Sequence, residues 1–112
     1  MKHPYNRHCI DCIGEVGEAE QRESTHFLIW VGTFVCEFCA DKHKKLFGSH
    51  TTKDVLREHW DDYQLRSVAI GGNKKFYEHL LEYEIERFDV ATKYIHEAVV
   101  WYSGHHVAMM DD

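Results

Sequence analysis

The sequence predicts an α+β domain in which a short β segment, organised around a metal site, precedes four or five helices. Three observations predict it. Four cysteines form two C-x2-C pairs, Cys9-Ile10-Asp11-Cys12 and Cys36-Glu37-Phe38-Cys39, with 23 residues between them. The run from His26 to Cys36 is dense in aromatic and β-branched residues, the types that suit a pleated, half-buried surface. From Glu37 onward apolar residues recur at helical spacing, interrupted by glycines.

A chain of 112 residues suits one compact domain with little stability to spare, so a metal cross-link has large leverage. The expected layout is one domain over 1–104, with an exposed insertion at 13–25 and a C-terminal tail at 105–112. The charge is acidic, 19 Asp+Glu against 13 Lys+Arg, which argues against a nucleic-acid binder. The cluster Lys42, Lys44, Lys45 and Lys53 reads first as a solvated helix face. No apolar run approaches the ~18 residues of a membrane span. The N-terminus has neither the apolar core of a secretory signal nor the character of a transit peptide. The expected setting is intracellular, either cytoplasmic or within an organelle such as the mitochondrion.

Residues 13–25 are polar, acidic and glycine-containing, and read as a loop. Phe27, Ile29, Trp30, Val31, Phe34 and Val35 mark strand, with Gly32 at a turn or bulge. Phe38, Lys42 and Leu46 share a helical spacing that Gly48 ends. Asp54 to Trp60 reads as short helical or irregular structure. Asp61 and Asp62 start a helix through Leu65 and Ala69 that Gly71-Gly72 ends. Asn73 is expected to cap the next helix, with Phe76, Tyr77, Leu80, Leu81, Glu84 and Phe88 near one stripe. Asp89 precedes a final helix with Ala91, Tyr94, Ile95, Ala98 and Tyr102 facing inward. After Gly104 the tail is expected to fray or to bind a partner.

Two C-x2-C turns can set four thiolates tetrahedrally around one Zn2+, with Zn–S near ~2.3 Å. Without a secretory signal the spacing favours metal over two disulfides. Cys9, Cys12, Cys36 and Cys39 are therefore the expected ligands. Four thiolates leave no open coordination position, so the zinc would be structural. A histidine in place of one thiolate is the alternative, since His8, His43 and His50 are near in sequence; with ten histidines in the chain, proximity carries little weight. Trp30, Trp60 and Trp101 read as core or interface anchors, and His105-His106 as a solvated pair. Gly71-Gly72-Asn73 lacks the Lys and Ser/Thr of a phosphate-binding loop. No Ser/His/Asp set or carboxylate pair stands out.

Taken in order, these residues resemble the zinc-finger domain of Arf GTPase-activating proteins. The resemblance rests on Cys9-x2-Cys12, Gly32-Thr-Phe34-Val-Cys36-x2-Cys39 and the helix start through His43. It continues through Gly48, His50, Thr52 and Lys53, then Trp60, Gln64-Leu65, Gly72-Asn73-Lys74, and Lys93-Tyr94 with Ala98 and Tyr102. It runs from about Asn6 to Tyr102. It implies a small three-stranded sheet flanked by helices, with a zinc site at one end, and acceleration of GTP hydrolysis by Arf-type small GTPases. The family carries an arginine finger five positions after the fourth cysteine, and here that position is Lys44. The family's Trp, ten residues before the third cysteine, is His26, and its Asn, six before, is Trp30. These changes are expected on the catalytic surface.

Lysine is a point charge without the planar fork of arginine, so the exchange is not conservative at such a site. The expectation is a catalytically degenerate domain: not itself an enzyme, but a protein-binding accessory subunit of a larger assembly. The chain's length, with no room for the membrane-targeting or coat-binding modules of family members, points the same way. The alternative is an active GTPase activator, in which Lys44 or a neighbour such as Arg57 supplies the charge. The expected partners are a multi-subunit complex or an Arf-type GTPase.

Overall fold

The computed structural model describes residues 4–12, 21–48, 51–55 and 59–111. The β-branched and aromatic run forms a hairpin of β1 (His26–Leu28) and β2 (Thr33–Val35), both wholly buried. The N–H groups of Val31 and Gly32 donate to the Leu28 carbonyl at 3.4 and 2.8 Å and close the turn. Gly32 is required there twice over. Its φ is 70°, and a Cβ would sit 2.4 Å from His106 Cε1.

A third strand, β3 (Thr52–Asp54), pairs antiparallel with the other edge of β1, giving the order β2-β1-β3. The residues alone did not announce it, because three polar residues carry no alternating pattern. Phe27 at the sheet centre contacts the rings of Phe34 and Trp60, at 4.8 and 5.3 Å between centroids.

Among the described residues five helices follow the hairpin: α1 (Glu37–Phe47), α2 (Asp62–Ile70), α3 (Asn73–Glu82), α4 (Val90–Lys93) and α5 (Glu97–Met110). A 3-10 turn, Pro4–Arg7, precedes the sheet. This is the expected α+β architecture.

On α1 the spacing of Phe38 and Leu46 is helical, but that face points to solvent. Phe38 is 63% exposed, while Cys39, Ala40 and His43 face the core. Asp61 caps α2 in a reciprocal capping box with Gln64, an arrangement whose cap contributes about 1 kcal/mol.

Asn73 does not cap α3; Gly72 holds the cap position, with a φ of 112°. The Asn73 side chain instead stitches three segments together. Its Oδ1 accepts from the Phe34 N–H at 2.6 Å, and its Nδ2 donates to the carbonyls of His8 and Phe34 at 2.9 and 3.0 Å. The stripe past Leu80 also ends early. The helix stops at Glu82, Leu81 is exposed, and Glu84 adopts a left-handed φ of 57°.

The single final helix of the sequence reading is two helices. α4 ends after one turn, and the His96 side chain caps α5 by accepting from the Ala98 N–H. The break resets the helical phase. Tyr94, Ala98 and Tyr102 are buried as expected, but Ala91 and Ile95 are exposed.

Gly104 does not end the last helix. It faces open space, and α5 runs through it to Met110. The stripe Val99, Tyr102, His106 and Met110 is buried at helical spacing. That burial outweighs the ~1 kcal/mol preference against an internal glycine. His106 is not solvated. It packs under the hairpin, with Nε2 2.8 Å from Ser67 Oγ, and burial lowers its pKa to about 4. Its neighbour His105 is exposed, stacked on Trp101.

Candidate metal centre

The two C-x2-C turns meet at the foot of the sheet. Their four sulfur atoms all lie within 4.8 Å of one another, and all four cysteines are buried. Cys12 Sγ and Cys36 Sγ stand 3.7 Å apart. That is too far for a disulfide of about 2.05 Å. It matches the ~3.8 Å edge of a tetrahedron of sulfurs at ~2.3 Å from a central zinc.

The second turn is itself the start of α1. Cys36 is the cap residue, and its sulfur accepts from the Cys39 N–H at 3.4 Å. A helix start thus turns one ligand inward and holds the other one turn along.

Charge argues for a cation in this space. The Cys9 thiol is pushed far up by burial, and that of Cys39 by its hydrogen bond with Cys36. Cys36 is held well down by Cys39, and Cys12 is lowered to about 7 by its bond from Cys9. Four sulfurs at this distance cannot all ionise without a positive charge between them, and a dication supplies it. The donor set is therefore positioned for zinc. Bound there, the ion would cross-link residues 9–12 to 36–39.

None of the nearby histidines takes a thiolate's place among the described residues; His50 lies outside them. His8 is exposed and faces Glu23 in an isolated β-bridge. His43 is fully buried with Nε2 2.7 Å from Asp11 Oδ2. Asp11 lies inside the first C-x2-C turn and is the hub of a buried network that sequence reasoning missed. Its Oδ1 accepts from Lys93 Nζ at 3.2 Å and from the Tyr94 hydroxyl at 2.7 Å. Burial would raise the Asp11 carboxyl, but Lys93, His43 and Tyr94 outweigh it and hold the pKa at about 2. The first turn, α1 and α4 are thereby joined through one carboxylate. An acidic residue between two ligand cysteines was the available signal, and its partner 82 positions away had none.

Lys44 sits on the last turn of α1, half-buried, one position beyond His43. The helix that carries it is fixed by Cys36 and Cys39 at its start and by His43 in its middle. Of the other two departures, His26 is buried and Trp30 is half-buried on the wall of an open pocket. His26 lies in β1, with Nδ1 2.8 Å from Thr25 Oγ1. Trp30 packs with Phe47, Tyr94 and His43, at centroid distances of 5.9, 5.5 and 6.5 Å. Arg57 and residues 13–20 of the insertion lie outside the described residues. No described helix is long and apolar enough to cross a membrane.

Comparison with known proteins adds two findings. A family model described as "ArfGap: Putative GTPase activating protein for Arf" matches residues 1–101. A solved structure, described as a "putative GTPase activating protein for ADP ribosylation factor from Cryptosporidium parvum", superposes with a TM-score of 0.71 at 25% identity. The match covers 98% of this chain and 81% of that one.

Proposed function

The chain belongs to the family of Arf GTPase-activating proteins, and from that premise we propose that it is a zinc-organised binding domain with little activating power. It engages a protein partner, an Arf-type GTPase or an assembly built around one, as an accessory subunit. The metal is zinc, and its role is to set the position and rigidity of α1.

The reading rests on the resemblance, which sets Lys44, five residues past the last cysteine, at the family's arginine-finger position. An arginine there presents a planar fork to the charge developing on the transferring phosphoryl group, worth on the order of 10³ to 10⁵ in rate. An ammonium group offers one point charge. Two cysteines and His43 anchor α1, so the helix has little freedom to re-aim a shorter contact.

Membership of the family favours a second reading, in which Lys44 still supplies enough charge for activation. Single-turnover GTP hydrolysis by an Arf-type GTPase separates the two. The wild type is expected to accelerate turnover by less than about tenfold, against the on-the-order-of 10³ or more of an arginine finger. Lys44→Arg is expected to raise the rate by at least about tenfold. A wild type that accelerates on the order of 10³-fold, and loses this on Lys44→Ala, contradicts the proposal.

A further inference from the structure

The far end of the 13–25 insertion returns along the first cysteine turn. The Cys9 N–H donates to the Arg22 carbonyl at 2.8 Å, and the Gln21 side-chain amide donates to the Cys9 carbonyl at 3.0 Å. The Ser24 N–H donates to the Arg7 carbonyl at 2.8 Å, and His8 and Glu23 form a β-bridge. This backbone clip fixes where Arg22 points. Its Nη1 donates to Cys12 Sγ at 3.6 Å, and its guanidinium carbon lies 4.6 Å from the centroid of the Phe38 ring. Phe38 belongs to the second cysteine turn. One exposed arginine therefore spans both turns from outside, touching the Cys12 sulfur on one and the Phe38 face on the other, with its charge acting on Cys36 as well as on Cys12.

We propose that Arg22 is a positioning residue of the metal centre, a cationic clasp that retains the zinc and shields Cys12. The inference rests on reading the site as a zinc thiolate centre. Four thiolates around Zn2+ carry two net negative charges, and the buried sulfurs have little water to spread them. A guanidinium N–H donated to Cys12 withdraws part of that charge. The first step of metal loss is the capture of a proton or an electrophile by one thiolate, and the clasp opposes that step at Cys12. Groups that orient metal ligands from outside the coordination sphere typically change metal affinity by about 10- to 100-fold. The cation–π contact with Phe38 keeps the fork in place. The Asp11 carboxylate beside the centre is matched by Lys93.

The test uses the full chain loaded with zinc, as wild type and as Arg22→Ala, Arg22→Gln, Arg22→Lys and Phe38→Leu. Zinc transfer to a chromogenic chelator is timed. In parallel, alkylation by iodoacetamide is mapped to each cysteine by mass spectrometry. Arg22→Ala and Arg22→Gln are expected to release zinc about 10- to 100-fold faster, with Cys12 alkylated first. Arg22→Lys recovers part of the protection, and Phe38→Leu falls between. Release within about twofold of wild type for Arg22→Gln overturns the proposal, as does equal release for Arg22→Lys and Arg22→Gln, which would make the contact one of packing and not of charge. A wild type that holds no zinc contradicts the metal reading itself. If Arg22→Ala fails to fold, the comparison of the Lys and Gln variants decides.

Discussion

Removing the metal with a chelator is expected to unfold the protein at room temperature, with loss of far-UV helical signal and of any melting transition. The argument is one of scale. A structural zinc on thiolates carries an apparent ~10–16 kcal/mol of binding free energy, while domains of this size are stable by about 5–15 kcal/mol. Here the ion would sit between the first cysteine turn and the junction of β2 with α1, and the cysteines belong to the main hydrophobic cluster. Cys36→Ser is the informative variant. Serine can still cap α1, as Cys36 does through its sulfur, but it is a poor zinc ligand. An unfolded Cys36→Ser protein therefore reports the loss of the metal and not of the cap. Retention of a cooperative melt after complete chelation would show that the core stands without the ion.

Lys93→Met is expected to destabilise the zinc-loaded protein by about 3–5 kcal/mol in urea denaturation. Lys93 is fully buried, and its ammonium is 3.2 Å from Asp11. Removing it leaves a carboxylate in the interior with His43 and Tyr94 as its remaining partners among the described residues. Pairing Lys93→Met with Asp11→Asn is expected to recover part of the loss, because no unmatched charge then remains. Equal loss in the single and double variants would mean that packing, and not the ion pair, sets the effect. The network also ties the metal end of the fold to the start of the C-terminal helices. Asp11 is held by α1 and α4 within one residue of a cysteine, so loosening either helix disturbs the first turn.

Much of this arrangement is legible in the sequence. The spacing of Cys9, Cys12, Cys36 and Cys39 announced a cluster, and strongly patterned stretches announced the hairpin and α2. What was not legible depended on contacts distant in sequence. β3 is three polar residues that become strand only because β1 offers an unpaired edge. Asn73 carries the signature of a helix cap, yet its amide is taken by Phe34 and His8, segments that the topology brings alongside. Gly104 and His105-His106 read as a chain end, since the stripe that keeps α5 intact depends on a surface assembled from the hairpin and α2. Lys93 looked like an ordinary helix lysine because its counter-charge lies in the first cysteine turn. The positions that differ from the family pattern, His26 and Trp30, were expected on the catalytic surface. His26 is buried in β1, while Trp30 is half-buried and lines an open apolar pocket with Ile29, Phe47 and Tyr63.

The account depends most on a closed, all-sulfur metal centre that organises the fold and holds α1. X-ray absorption at the zinc edge of the natively purified protein tests it directly. The prediction is four sulfur neighbours at about 2.3 Å and no light-atom neighbour in the first sphere. Three sulfurs with one nitrogen or oxygen, or no stoichiometric zinc, would contradict it.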